Sequence, residues 1–212
     1  MATNLVLSKR RNKQIDKNDR IVEAAYQLFL EQGFEQVSIQ EIVARAGVAK
    51  GTFYLYFHDT DQLREYVISQ KSSEIFRHAL HALRQTDISD FENQIIFVID
   101  YVIDVLSQNR DAMKLIAKDL SFGLFNRKVS EYFASGQVDI LHALLSAAAK
   151  NHVRLKNPKI LLYMIIELVS STCFSCILDS EPLEVAVFKP YLFDAVRALI
   201  HSQTIDSTGF QK

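Results

Sequence analysis

Hydrogen-bond donors are concentrated in one short segment of the sequence, residues 50–57. The donors are one ammonium group and three hydroxyl groups, on Lys50, Thr52, Tyr54 and Tyr56. Phe53 and Phe57 are four residues apart and share one face of a helix, which predicts that both are core residues. Gly51 and Leu55 then centre the opposite face. Ammonium and hydroxyl groups donate to phosphate oxygens and base edges, so this face has the composition expected of a nucleic-acid contact.

Motifs with catalytic or metal-binding chemistry are scarce elsewhere. The sequence has no G-x-S-x-G, Walker or H-E-x-x-H pattern, and we expect no enzyme activity, no cofactor and no metal. Cys173 and Cys176 form a C-x-x-C pair late in an apolar segment, without a second pair. Reactive pairs lie at exposed helix N-termini and structural zinc needs four ligands. Buried packing thiols are therefore favoured over a redox or metal site.

The composition predicts an all-α fold. The chain has 212 residues with six glycines and three prolines, and the first proline is Pro158. Because β-sandwiches and barrels need frequent glycine and proline turns, they are disfavoured. At about 150 residues per domain, the length suits one domain or a small domain joined to a larger one. The formal net charge of −1 gives no overall basic field, so any nucleic-acid contact is expected to be local.

The N-terminal region combines a basic run with the start of a helical pattern. The first 20 residues carry six basic and two acidic side chains, a local net charge of +4. A solvated, mobile tail and a basic arm that contacts phosphate both fit this run. From Asn18 the apolar residues recur at three- and four-residue steps, and Gly33 stands where a left-handed residue ends a helix. The pattern predicts a first helix from Asn18 to about Gln32.

Two short helices are predicted next. Ser38 and Glu41 form a capping box, in which each side chain satisfies a backbone N–H of the other residue. Gly47 ends this second helix, and a third is predicted over residues 50–57. Two short helices joined by a glycine-containing turn form a helix-turn-helix, whose second helix enters the major groove of DNA. A purely structural helix pair is the alternative.

These motifs form a longer pattern that covers about residues 18–65. The matching positions are Ala24-Ala25, Leu28-Phe29, Gly33-Phe34, Val37-Ser38-Ile39, Ile42-Val43, the run from Ala46 to Phe57, and Leu63. This pattern resembles the N-terminal domain of the TetR family of transcriptional regulators. The resemblance implies a homodimer whose two helix-turn-helix units read a palindromic operator in double-stranded DNA. It also implies a C-terminal domain that binds a small molecule and releases the DNA.

The resemblance, together with the outward position of Leu55, suggests which residues contact DNA. The predicted DNA-binding residues are Ser38, Lys50, Gly51, Thr52, Tyr54, Leu55, Tyr56 and Thr60. Two positions depart from the family pattern. Many members have Ser or Thr in place of Ala49, where the side chain caps the recognition helix, so alanine there loses about 1 kcal/mol of capping. Many also have Lys in place of Thr60, whose hydroxyl can still donate but lacks the charge-assisted contribution.

The C-terminal part is expected to hold a dimer interface and an effector pocket. The last two long helices are apolar on more than one face, which favours a four-helix dimer interface, as in the family, over a large internal core. The interface candidates are Met164, Leu168, Phe188, Leu192 and Val196. An aromatic-rich set suggests an apolar or aromatic effector, although plain core remains the alternative for each member. The ligand-binding candidates are Phe97, Tyr101, Phe122, Phe125 and Phe133.

Two further features bear on partners and location. Asp100 and Asp104 could accept a cationic ligand, although a solvated helix surface is favoured for both. Residues 160–178 raise the question of a membrane span, but Glu167 and several hydroxyl groups favour a helix buried among protein partners. The N-terminus lacks a signal-peptide pattern, and two cysteines make no disulfide framework. The expected location is the cytoplasm, without a membrane partner.

The predicted organisation has four parts. These are a flexible basic arm (1–17), a helix-turn-helix DNA-binding domain (18–60), a helical ligand-binding and dimerisation domain (61–203) and a flexible tail (204–212). We expect a ligand-responsive transcriptional repressor that acts as a homodimer. The alternative is an all-α small-molecule-binding protein or enzyme whose N-terminal helices are purely structural.

Overall fold

The computed structural model describes residues 2–116 and 140–205, with side chains from residue 16 onward. Within these ranges the chain forms α-helices and no strand, which confirms the predicted all-α fold. The helices are α1 (Ala2–Gln32), α2 (Ile39–Ala46), α3 (Lys50–Phe53), α4 (Thr60–Leu83), α5 (Phe91–Gln108), α6 (Arg110–Ile116), α7 (Ile140–Lys150), α8 (Pro158–Leu178) and α9 (Val185–Gln203). The chain divides into two compact units, with the boundary between Gln70 and Lys71.

Helix α1 is longer than predicted at its N-terminal end. It begins at Ala2 rather than near Asn18, because no glycine or proline interrupts the first 32 residues. The basic run assigned to an arm therefore has a helical backbone. The helix ends at Gln32, and Gly33 follows with a φ of 79°. The predicted C-terminal end is confirmed.

Local signals define both ends of α2. The Oγ atom of Ser38 accepts a hydrogen bond from the amide of Glu41 at 3.3 Å, and the amide of Ser38 donates to the Glu41 carboxylate at 2.9 Å. The predicted capping box is thus confirmed. Gly47 ends the helix with a φ of 61°, a left-handed conformation that costs a residue with a Cβ atom about 1–2 kcal/mol. The short helix therefore has well-defined ends.

Helix α3 is shorter than the predicted helix over residues 50–57. It ends at Phe53, and the chain continues through tighter turns, such as the one closed by a 2.9 Å bond from the amide of Tyr56 to the carbonyl of Phe53. At its N-terminal end, Ala49 provides no side-chain hydrogen bond to the helix. The loss of a cap expected from the alanine is confirmed.

Aromatic residues form the core of the first unit around α3. Phe53 and Phe57 are both buried, as predicted, with ring centroids 5.9 Å apart. The ring of Phe57 lies 5.4 Å from that of Tyr66 on α4. The Tyr66 hydroxyl accepts hydrogen bonds from the side-chain amides of Asn18 (3.3 Å) and Gln70 (3.0 Å). These contacts attach α1, α3 and the first part of α4 to one another.

In the second unit, polar contacts join α9 to α5. Lys189 of α9 forms ion pairs with Asp100, at 2.6 Å, and with Asp104. Burial acts to lower the pKa of Lys189, but the bonds to the two carboxylates outweigh it and raise the pKa overall. Arg197 of α9 donates to the side chain of Asn93 at 2.7 Å. The two aspartates are thus paired within the chain, which leaves less reason to expect a cationic ligand there.

The remaining C-terminal predictions are described only in part. Helix α6 ends at Ile116 and helix α7 begins at Ile140, and residues 117–139 lie outside the described ranges. Thr204 forms an isolated antiparallel bridge with Leu155. The rest of the expected tail, residues 206–212, also lies outside the described ranges.

Among the described helices, α8 alone is long and apolar enough to cross a membrane. Length and composition are weak evidence for a span, because the core helix of a soluble protein passes the same test. In α8, 44% of the most apolar window is buried inside the protein.

Candidate nucleic-acid interface and ligand cavity

The face predicted to contact nucleic acid is open to solvent. The side chains of Tyr54 and Leu55 are 52% and 76% exposed. A Cβ atom built on Gly51 would meet no heavy atom beyond its own helix and chain neighbours within 4 Å. Phe53, in the middle of the same segment, is completely buried. The segment separates exposed from core residues in the way that the sequence pattern predicts.

Three further donors surround this face. Lys50 is exposed, whereas Thr52 and Tyr56 are half-buried. Burial raises the pKa of Tyr56, and a protonated phenol can donate to a phosphate oxygen. Residues 42–57 contain no acidic side chain. The face therefore has local positive charge despite the net negative charge of the chain.

Two arginines position the turn that presents α3. The Arg20 guanidinium donates to the carbonyl oxygens of Ala46 and of Gly47, the latter at 3.1 Å, where the helix macrodipole places partial negative charge. Arg45 pairs with Glu31 at 2.6 Å, and this hydrogen bond lowers the pKa of Glu31. From the sequence alone, Arg20 is recognised only as one member of the N-terminal basic run. Its partner lies 26 residues away, which no local pattern reveals.

Ser38 and Thr60 lie at helix starts of the same unit. The Ser38 hydroxyl donates to the Glu41 carboxylate at 2.6 Å, so a phosphate contact by Ser38 would compete with this bond. Thr60 is half-buried in the first turn of α4, where Asp59 accepts from the amide of Gln62 at 2.8 Å. DNA contacts by Ser38 and Thr60 stay predictions.

The second unit contains an apolar cavity between four helices. Its empty volume is about 880 Å³, a value that includes open solvent at its mouth. The described lining residues are Phe76, Leu80 and Leu83 of α4; Gln94, Ile95, Val98, Ile99 and Val102 of α5; Ile140, Ala143, Leu144 and Ala147 of α7; and Leu162, Ile165, Ile166 and Val169 of α8. Among them, Phe76 is the only aromatic residue and Gln94 the only polar one.

The cavity walls differ from the aromatic set predicted to bind a ligand. Phe97 and Tyr101 are half-buried and are not among the described lining residues. On α5 they lie on the side that carries the two aspartates paired with α9, whereas the lining residues share another face. Phe122, Phe125 and Phe133 lie outside the described residues. The sequence reasoning missed the walls because aliphatic lining has the same composition as ordinary core.

Comparison with known families agrees with the geometry of the first unit. Residues 21–67 match the family described as bacterial regulatory proteins, tetR family. This segment is a TetR-family domain. The matched segment contains α2, α3 and the turn between them, together with the parts of α1 and α4 that pack against them. The exposed face around Gly51 is therefore part of a TetR-family helix-turn-helix.

Similarity to known proteins extends over most of the chain. It is 28% identical over 186 residues to the HTH-type transcriptional regulator YvdT of Bacillus subtilis (strain 168), covering 84% of this chain and 91% of YvdT. It also shares the fold of FadR from Thermus thermophilus in complex with lauroyl-CoA (TM-score 0.62, 17% identity, 92% of this chain and 99% of that chain). FadR from Bacillus subtilis in complex with stearoyl-CoA is similar (TM-score 0.58, 17% identity, 84% and 96%). The matched family domain and the similarity to YvdT support a transcriptional regulator.

The two helices predicted to form the dimer, α8 and α9, are apolar on two faces, of which one is exposed. Leu192 and Val196 are buried in the chain's own core, while Met164, Leu168 and Phe188 are half-buried. The large exposed apolar residues on the two helices are Ile160, Tyr163, Val187 and Tyr191. Because Leu192 and Val196 are covered by the same chain, an interface on these helices would use the exposed face instead.

The two cysteines have the features of packing residues. Both thiols are free and buried in α8. Burial, followed by the nearby Cys176, raises the pKa of Cys173 to about 12, and burial also raises the pKa of Cys176. Within the described residues, no group of three or more His, Cys, Asp or Glu side chains could hold a metal ion. These surroundings oppose a redox role.

We expect the native protein to resist thiol labelling. At pH 8 the raised pKa of Cys173 leaves about a thousandfold less thiolate than an ordinary thiol has, and the thiolate is the reactive form. Ellman's reagent should label two thiols in urea but react with the native chain at least about a hundredfold more slowly. Rapid labelling of the native protein would instead support a redox role for the C-x-x-C pair.

Proposed function

We propose that this chain is a cytoplasmic, homodimeric repressor that acts by binding alone, without catalysis. Each protomer contacts one half of a palindromic operator through the exposed face around Gly51. An apolar ligand in the cavity of the second unit releases the operator. Each part of this proposal is supported by a different surface of the chain.

The single observation that supports DNA binding most strongly is the contrast in solvent exposure between Phe53 and the two residues that follow it. Phe53 is completely buried, while Tyr54 and Leu55 are largely exposed. Burial of apolar surface contributes about 25 cal/mol of stabilisation per Å², which an exposed leucine does not gain in the free chain. An exposed leucine flanked by hydroxyl donors is therefore typical of a surface that binds a partner. Thymine methyl groups accept apolar contacts in the major groove, and phosphates accept the hydrogen bonds.

A second exposed apolar face supports the homodimer. Val187 and Tyr191 are 53% and 66% exposed and lie four residues apart on α9, and Ile160 and Tyr163 are exposed on α8. Contiguous exposed apolar patches mark interaction sites, and two helices from each protomer can form a four-helix interface. A two-fold dimer would present two recognition helices to successive major grooves, about 34–36 Å apart.

We expect Val187→Glu combined with Tyr191→Glu to convert the dimer into monomers. The interface would have to bury four unpaired carboxylates, two from each protomer, which is strongly unfavourable. Light scattering coupled to size-exclusion chromatography should show the mass of one chain. Leu145→Glu, at an exposed position of α7, is the matched control and should leave the mass of the dimer unchanged. A double variant that keeps both its helicity and the dimer mass would contradict this interface.

The cavity supports an effector with a long apolar chain. Its described walls are almost entirely aliphatic, and the FadR structures contain lauroyl-CoA and stearoyl-CoA. Helix α4 offers a route for the signal, because Phe76, Leu80 and Leu83 line the cavity and the same helix begins at Thr60 in the first unit. A ligand that displaces α4 would alter the spacing of the two recognition helices and so weaken operator binding.

A mobility-shift titration with DNA fragments from the chain's own upstream region tests the proposal. We expect one fragment to be retained far more strongly than equally long unrelated DNA, with an affinity that falls steeply as salt increases. If every fragment binds equally weakly at moderate salt, the chain is not an operator-binding regulator of this region, and the purely structural interpretation of the N-terminal helices gains support.

A further inference from the structure

Gln94 is the single polar side chain among the described walls of the cavity, and both its amide protons are already committed. Its Nε2 atom donates to the backbone carbonyl oxygens of Ile88, at 3.1 Å, and Ser89, at 3.2 Å. Carbonyl oxygens only accept hydrogen bonds, so these two contacts decide which end of the amide is nitrogen. The remaining polar atom is Oε1, an acceptor that no donor among the described residues contacts.

We propose that Gln94 makes the cavity selective for aliphatic ligands that carry a hydrogen-bond donor, such as a fatty alcohol or a primary amide of a fatty acid. The donor bonds to Oε1 while the alkyl chain lies against the aliphatic walls. This inference rests on the proposed function in one respect, since it takes the cavity to be the effector site.

The preference follows from what happens to Oε1 when a ligand displaces water. In a wall of alkyl groups, an acceptor that loses its water and gains no donor is unfavourable. A ligand hydroxyl replaces the lost bond, whereas an ether or ester oxygen cannot donate. An ionised carboxylate would place negative charge beside Oε1, and no cationic side chain is present among the described lining residues. The cavity therefore distinguishes ligands by their donors rather than by their polarity.

Two isomers that differ only in the donor give a direct test. n-Octanol and heptyl methyl ether contain the same atoms, but only the alcohol has an O–H group. The ether has the lower desolvation cost because it lacks the O–H group, so a purely apolar cavity would bind the ether more tightly. With Gln94 as the selector, calorimetric titration of the full-length protein should show the alcohol binding about tenfold more tightly than the ether.

Variants of the wall assign the preference to one side chain. Gln94→Met keeps an unbranched side chain of similar length but removes Oε1, and the ether should then bind at least as tightly as the alcohol. Gln108→Met, the same change at an exposed position at the end of α5 and outside the described lining, is the control and should retain the preference for the alcohol. Circular dichroism verifies that each variant is folded.

The possible outcomes separate this inference from the proposed function. Equal or tighter binding of the ether by the unchanged protein overturns the role of Gln94 and leaves the cavity as an apolar ligand site, even where Gln94→Met fails to fold. Persistence of the alcohol preference in Gln94→Met assigns the acceptor to another group and also overturns it. Binding of neither isomer overturns both this inference and the effector site, while the mobility shift with upstream DNA still reports separately on operator binding.

Discussion

We expect Lys50→Ala combined with Tyr54→Ala to abolish operator binding without any change in the far-ultraviolet circular dichroism. Both side chains are exposed, and the ring of Tyr54 packs edge-to-face with that of Phe53, with centroids 5.5 Å apart. Their removal therefore costs little folding free energy. Loss of a base or phosphate contact costs about 1–3 kcal/mol, and a dimer loses each contact twice. The affinity should fall at least about a hundredfold in a mobility-shift titration.

The single variants separate the two kinds of contact. Lys50→Ala should reduce the salt dependence of binding by about one counterion per protomer, because a phosphate contact is lost. Tyr54→Ala should leave more of the salt dependence intact, since a hydroxyl carries no charge. Lys150→Ala, at the end of α7, removes the same charge elsewhere and should change neither property. Loss of helicity in the double variant would show that the segment serves the fold rather than DNA.

The second large effect is expected at Phe53, next to Tyr54. Phe53→Ala should destabilise the chain by about 3–5 kcal/mol, because it leaves a cavity beside Phe57 in a site with no exposed surface. Domains of this kind are stable by only about 5–15 kcal/mol. Equilibrium urea denaturation followed by circular dichroism should show a markedly lower midpoint, and DNA binding should be lost together with the fold.

Two neighbouring substitutions provide the comparison for this result. Phe53→Leu keeps most of the apolar volume and should cost less than about half as much as Phe53→Ala. Tyr54→Ala should shift the urea midpoint by an amount close to that of an ordinary surface substitution, about 0.5 kcal/mol. If Tyr54→Ala were the more destabilising of the two alanine variants, the assignment of the core and DNA faces would be reversed.

The ends of α2 could be predicted because their signals act over a few residues. The capping pair Ser38 and Glu41 and the left-handed Gly47 all occupy the positions that the sequence indicates. The lengths of α1 and α3 were less predictable. No glycine or proline interrupts α1 between Ala2 and Gln32, so the helix extends beyond its predicted start. Helix α3 passes into tighter turns after Phe53, where packing of Phe57 against Tyr66 constrains the chain.

The candidate sites differ in how much of each could be predicted from the sequence. The face of residues 50–57 could be predicted because two phenylalanines four residues apart define a buried side, and every exposed residue follows from helical spacing. The dimer face could not, because α9 is apolar on two sides and only packing shows that Leu192 is covered while Tyr191 is exposed. The same holds for the cavity, whose described walls come from four helices spread over residues 76–169.

Spacing along the chain was sufficient for the helical fold class, the helix-turn-helix and the side of α3 that faces away from the core, because each depends on residues within one or two helical turns. Folding in three dimensions was needed to give Arg20 its carbonyl partners, Asp100 and Asp104 their lysine, and Gln94 its place in an aliphatic wall. Those contacts join residues that are distant in sequence. The periodic pattern of apolar residues indicates secondary structure but does not indicate which distant residues will meet.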